Sequence, residues 1–325
     1  ELRLDAPNGR FLVDPVDGVE VLEEKTGVAP LVMRGEPGAL SAALAGARYL
    51  GEDLFYGWET VTVTVNDLGG TGAGGPLADT AEIPLFLEAT LLVVNTLEDR
   101  DDGNIRPGNV SLREAVANIA EGGRIAFEPG LRGTITLRAD QGPLAVTRGM
   151  RIDGPGPDAL TVSGGLGVRV LLVDDGDNTP DTGVLVENLS LADGMAGGNG
   201  NGGVVYNAES LILRNCRVMG GAAVNGGGVY NAGTMLAEDC IASGNAASEA
   251  GGFAATMAPG TLTLRRVTAT QNAARNGGAA ASLGPVMLVN STLSGNRAGL
   301  HGGALYHGAV EPAALRHAFG QLRGG

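Results

Sequence analysis

A short phrase ending in two glycines recurs five times in the second half of this chain. It reads Asn201-Gly202-Gly203, Asn225-Gly226-Gly227, Ala250-Gly251-Gly252, Asn276-Gly277-Gly278 and His301-Gly302-Gly303. A nearly constant step of about 25 residues marks a repeat architecture. Each phrase is followed by a short apolar run, such as Val204–Asn207 or Val229–Asn231. A second run then follows, as in Leu211–Leu213, Met235–Ala237, Leu262–Leu264 and Met287–Val289. These units have neither the fixed leucine lattice of leucine-rich repeats nor the helix-length segments of ankyrin or TPR arrays. The period therefore predicts a parallel β-helix, whose coils stack about 4.8 Å apart and bring equivalent positions into columns.

The columns make chemical sense. Leu213, Ala237, Leu264 and Leu288 predict one interior file, and Val218, Ala242, Ala269 and Leu293 a second. Asn245, Asn272 and Asn296 recur at a corner, where asparagine tolerates left-handed backbone and its amide can bond to the coils on either side. Cys216 and Cys240 fall at equivalent places in adjacent coils and are expected to stack as small hydrophobes in a file that continues with Val267 and Ser291. Stacked positions also lie at a Cα separation that a disulfide accommodates. Tyr206, Tyr230 and Tyr306 share a column with Ala254 or Ala255 and Ala280 or Ala281, and parity alone leaves inward and outward directions open.

The composition suits a layered core of small residues, with Gly 55 and 43% hydrophobic but only 4% aromatic content. A net charge of −14 with one lysine, Lys25, argues against a nucleic-acid partner. Residues 1–92 carry −10 and the remainder −4, and the text changes style at the same place. Two domains are expected, 1–92 and 93–325, with the regular coils at about 201–310. No apolar stretch is long enough for a membrane span, which excludes one in this chain. Glu1 is not an initiator, and the chain reads as a mature or excised piece. A monomer is expected.

The first domain alternates at Val61-Thr62-Val63-Thr64-Val65, with shorter strand-like runs at Arg10–Val13, Pro30–Val32 and Glu82–Leu87 and a helical turn or two over Gly38–Ala47. This predicts a β-sandwich. The stretch from Leu40–Tyr49 through Trp58–Asp67, Gly69–Gly75 and Leu77–Ala81 resembles the cadherin-like repeats of very large bacterial surface proteins. In the second domain, Ser111 and Glu114 form a capping box that opens a helix over about 111–120, a lid for the apolar end of the first coil. Ser111–Val116, with Ile125–Phe127, Gly133–Leu137 and Ile152–Gly156, resembles the CSLREA proteins, extracellular bacterial right-handed parallel β-helices akin to polymorphic outer-membrane adhesins. Val110 stands where that motif has its cysteine. The resemblance implies an all-β chain at the cell surface or secreted, a cadherin-like sandwich followed by a single-stranded β-helix with an N-terminal capping helix. It implies adhesion or a stalk role toward glycans or neighbouring cell-surface proteins.

Gly70, Gly72 and Gly75 spell a dinucleotide fingerprint, but no helix follows, so a sandwich loop is expected. Calcium takes six to eight hard oxygens. Asp99, Asp101, Asp102 and Asn104 before the lid helix offer one candidate set, and Asp174, Asp175, Asp177, Asn178 and Asp181 a second; Asp67 and Asp79 are further candidates. Gly197–Asn201 resembles one calcium-binding nonapeptide without its aspartate. The competing class is a polysaccharide lyase or glycoside hydrolase working in the groove. Glu209, Glu238, Asp239 and Glu249 fall at different repeat positions, so no carboxylate pair can be read from them. Arg214, Arg265 and Arg266 near one corner read as a solvated face, and His301 and His307 as loop residues and not a metal pair.

Overall fold

The computed structural model describes residues 1–23, 30–51, 57–70, 75–106, 108–177, 179–197, 200–308 and 316–318. The readings that involve Lys25, Gly72, Asn178, Gly198 and Asn199 lie outside them. The chain divides into two compact units, one of residues 1–89 with 105–107 and one of residues 90–104 with 108–325.

The first unit is built on a five-stranded antiparallel sheet in the order Val19–Glu23, Leu31–Gly35, Leu2–Asp5, Gly57–Asn66, Ala78–Leu87. Helix Pro37–Ala45 places Leu40 and Ala43 on Leu2, Leu4, Leu31 and Met33, and Phe11 of a two-stranded ribbon packs against the same cluster. Where a β-sandwich is expected of residues 1–92, the structure shows the antiparallel sheet, with the helix and the two-stranded ribbon contributing to its core. Gly70 and Gly75 belong to the hairpin joining the two longest strands, where Asp67 Oδ1 accepts from the backbone of Gly69 and Leu77 at 2.9 and 2.8 Å.

The second unit is a parallel β-solenoid of right-handed type, with about 8 turns over residues 89–307. Face I is a nine-stranded sheet that includes Ala89–Val94, Ile119–Phe127, Met150–Asp153, Gly183–Glu187, Ser210–Arg214, Thr234–Glu238 and Thr261–Arg265. Face II runs from Gly133–Thr136 to Thr292–Ser294, and face III from Leu144–Val146 to Leu305–His307, each with seven strands. A fourth, narrow face appears only in the later coils: Ala222–Asn225, Ala246–Ala250, Ala273–Asn276 and Arg297–His301.

The expected files are real. Leu213, Ala237, Leu264 and Leu288 are successive partners on face I, and Val218, Ala242, Ala269 and Leu293 on face II, all buried. The glycine phrase has two causes. Its first glycine is left-handed, as at Gly226 with φ +63°, which a side chain rarely adopts. Its second lies against the next coil, so that a Cβ on Gly227 would run into the Ala246 carbonyl. Asn245, Asn272 and Asn296 form a buried amide ladder, with Asn245 Nδ2 donating to Asn272 Oδ1 and Asn272 Nδ2 to Asn296 Oδ1, both at 2.9 Å.

The cysteine file behaves differently from a plain apolar one. Cys216 donates to the carbonyls of Val186 and Arg214, Cys240 to those of Leu213 and Glu238, and Ser291 to those of Leu264 and Val289. Each side chain ties its own coil to the one before it. Both thiols are free, and contact with Cys240 together with burial pushes the Cys216 thiol well above its ordinary range.

The lid helix spans Leu112–Asn118 with the capping box intact at Ser111 and Glu114. Leu112 lines a cavity of about 10 Å³ with Leu144, Ile152 and Val162, too small to hold more than a single water. Arg113 fixes the lid. Its guanidinium pairs with both oxygens of Asp99 at 2.8 Å and donates to the carbonyls of Gln141, Gly142 and Pro143.

Candidate functional site

Face III decides the direction of the tyrosines. Val205, Val229, Ala254 and Ala280 point inward with no exposed surface, as do Asn207 and Asn231. Strand alternation therefore sends Tyr206, Tyr230, Ala255, Ala281 and Tyr306, successive partners across five coils, to the outside. The Tyr206 and Tyr230 rings stack with centroids 5.4 Å apart and planes at 17°. At one end the Arg169 guanidinium carbon lies 5.3 Å from the Tyr206 centroid. Arg169 is held there by donating to the carbonyls of Gly202 at 2.8 Å and Asn201 at 2.7 Å. At the other end His301 stacks on Tyr306 at 5.8 Å. Alongside runs a second outer column of Asn201, Asn225, Ala250, Asn276 and His301, in which Asn225 donates to the Asn201 side chain at 3.0 Å. Burial raises the Tyr230 hydroxyl above its ordinary range and lowers Arg169.

A second cluster sits where residues 174–182 link face III to face I. Asp174, Asp175 and Glu209 bring one carboxylate oxygen each within 4.8 Å of one another, and Asp175, Asp177 and Asp181 do the same. The loop shapes itself through its own carboxylates: Asp174 accepts from Gly176 N at 3.0 Å, Asp175 from Asp177 N at 3.0 Å and from Thr182 Oγ1 at 2.7 Å, and Asp177 from Thr179 N at 2.6 Å. Glu209 is fully buried beneath it and accepts only long contacts from the backbone of Asp175 at 3.5 Å and Thr182 at 3.4 Å. Burial raises the Glu209 carboxyl above its usual range, while hydrogen bonding from the Asp177 backbone lowers Asp175. None of these five carboxylates has an ion-pair partner among the described residues.

The remaining carboxylates of face I are arranged in the opposite way. Asp153, Glu187, Arg214, Glu238 and Arg265 are successive partners in one outer column. Asp153 pairs with Arg124 and Arg151, and Glu187 with Arg151 and Arg214. Glu238 pairs with Arg214, Arg265 and Arg266, and Arg266 reaches Asp239 at 2.6 Å. The expected solvated arginines are thus paired; Glu238 and Asp239 fall at different repeat positions, as expected, but share Arg266, and the column alternates in sign from Glu187 to Arg265. Hydrogen bonds from Arg266 hold both Glu238 and Asp239 below the usual carboxylate range.

The other predicted ligands lie apart from the 174–182 loop. Asp99 is buried, with both oxygens taken by Arg113 and one also accepting from Arg138 N at 2.8 Å; Asp101 is exposed. His301 and His307 occupy different columns: His301 stacks on Tyr306, and His307 continues the Asn207–Asn231–Thr256–Ser282 file. Glu209 and Arg169 were not singled out for the places they hold. Glu209 lies two residues past the Val205–Asn207 strand, and the signal for its role was its position next to the acidic insertion 174–182 between coils. In comparisons with known proteins, no family model matches the chain, and no curated protein or solved structure matches it either.

Proposed function

We propose that this chain is a rigid, non-catalytic module of a secreted or cell-surface bacterial protein, a CSLREA-type solenoid preceded by a cadherin-like repeat, that serves as an adhesin or stalk and engages glycans or neighbouring surface proteins. The observation that carries the reading is the ladder on face I. Glycoside cleavage needs two carboxylates free to exchange protons or to attack. Here Asp153, Glu187, Glu238 and Asp239 are each tied to arginine across coils. Their role is to pin one coil to the next.

Calcium belongs to the same reading. Asp174, Asp175, Asp177, Asp181 and Glu209 gather five carboxylates without a cation, whereas buried Asp99 and Glu187 each have an arginine. A divalent ion would remove that repulsion and fix the longest insertion of the early coils. No helix is long and apolar enough to cross a membrane among the described residues. The test is incubation with a panel of neutral and acidic polysaccharides, reading released product: none is expected, and turnover abolished by replacing a carboxylate overturns the proposal.

A further inference from the structure

The corner between faces I and II holds two thiols that packing alone does not call for. Leu189, Cys216, Cys240, Val267 and Ser291 follow one another there in successive coils, and all are buried. Leucine, valine and serine fill the same place, so size and burial do not single out cysteine. What sets residues 216 and 240 apart is that they are neighbours. Arg214 pairs with Glu238 and Arg217 with Ile241, which stacks the two cysteines between them, and their thiols are in contact. Successive coils lie about 4.8 Å apart, inside the Cα separation of about 4.4–6.8 Å that a disulfide spans.

The corner also tolerates the loss of both S–H groups. Each thiol donates to the carbonyl two residues before it, that of Arg214 or Glu238. Those carbonyls also accept from Asn188 N at 3.1 Å and Asn215 N at 3.0 Å, so each keeps a backbone donor. The other two acceptors, the carbonyls of Val186 and Leu213, lie within the paired strands of face I.

We propose that Cys216 and Cys240 form a modification site, closing a disulfide across two coils as the chain folds. The step is exchange with a small dissolved disulfide such as oxidised glutathione. One cysteine thiolate attacks that disulfide and releases a first small thiol, leaving a mixed disulfide. The second cysteine thiolate attacks the cysteine sulfur of the mixed disulfide, the S–S bond between the two coils forms, and a second small thiol leaves. The cysteines lose two electrons and two protons, and the oxidant takes up both. Burial sets the timing: at 1% and 2% exposure neither sulfur is reachable in the folded chain, so exchange takes place while the corner is open. The bond then closes a ring of one coil and restricts the unfolded chain. Oxidants of this class meet a secreted or cell-surface chain, and the chemistry is tested independently of that reading.

The experiment refolds the full chain from denaturant in two buffers, one with mixed oxidised and reduced glutathione and one with excess dithiothreitol. Thiols are then counted by iodoacetamide mass tagging after a second unfolding. The glutathione product is expected to take up no tag, to yield a peptide pair joined between Cys216 and Cys240, and to melt about 5 °C above the reduced product. Reduced chain moved into the glutathione buffer after folding should gain the bond at least tenfold more slowly. Cys240→Ser should melt alike from both buffers. A chain that does not refold is compared instead after export to an oxidising periplasm and after expression in a reducing cytosol. Two tagged thiols in the oxidised product, or glutathione retained on either cysteine, overturn the site. A bond gained as fast in the folded chain overturns its coupling to folding, and a linked chain that melts no higher overturns its role as a staple.

Discussion

The two units solve the same problem of burying a sheet face by different means. The N-terminal unit places one antiparallel sheet against a helix and a ribbon, and its core of Leu2, Leu4, Leu31, Met33, Leu40 and Ala43 is assembled from separate elements with no period between them. The solenoid repeats one solution, so that each core side chain touches its own equivalent above and below. Sequence exposes a period and conceals a unique packing. Errors also propagate differently: a fault in a column acts on every coil that leans on it, whereas the long strands Gly57–Asn66 and Ala78–Leu87 leave Val65 and Ile83 more than half exposed.

The largest effect expected of that difference is at Leu264, which has no exposed surface and lies between Ala237 and Leu288. Leu264→Asp would set an unpaired charge in the file and cost on the order of 5 kcal/mol. Val65→Asp, on the exposed half of the N-terminal sheet, should change stability by less than about 0.5 kcal/mol. Denaturant titration of both variants checks the contrast, and equal losses would break it.

Next comes the lid. Arg113→Ala leaves Asp99 buried without its partner and three carbonyls without a donor, and should cost about 3–5 kcal/mol. Hydrogen exchange should then accelerate first in the coil of Leu144–Val146, against which the helix packs. Exchange spread evenly over the solenoid would remove the lid from the account.

How much of this was legible follows the same division. The interior files, the amide ladder and the capping box came from spacing and residue type, because a column repeats its chemistry at every turn. The face I ladder did not. Its early members Asp153 and Glu187 lie in coils whose loops vary in length, so the step from Asp153 to Glu187 is longer than the step from Glu187 to Arg214, and no single period connects them. The outward direction of the tyrosines needed the register of Val205 and Asn207 on either side. In the N-terminal unit strand existence was legible and the pairing order was not.

A smaller loss is expected from Asn272→Ala, which removes the amide that joins Asn245 to Asn296 and should cost about 1–3 kcal/mol through the buried groups left unpaired. Thermal melting measures it. A neutral outcome would mean that water replaces the ladder.

The smallest effect sharpens the contrast between the early and late coils. Without calcium, Glu209 has a raised folded-state pKa, so its contribution to stability is complete below its ordinary value of 4.5 and is lost as pH rises through the elevated one. Glu238 has the opposite sign: its contribution is present above 4.5 and is lost as pH falls through its depressed value. Melting in chelator should therefore weaken toward neutral pH, and calcium should restore it by binding the folded loop. Identical melts in calcium and chelator at neutral pH would remove the ion from the account.

The central claim is that the outward carboxylates of face I hold coils together and do not act on a substrate. The most direct test pairs melting with glycan turnover for Glu187→Gln and Glu238→Gln. The account predicts a lower Tm for each variant and no turnover in the parent or the variants. A parent that releases product, with variants that melt normally and release none, would contradict it.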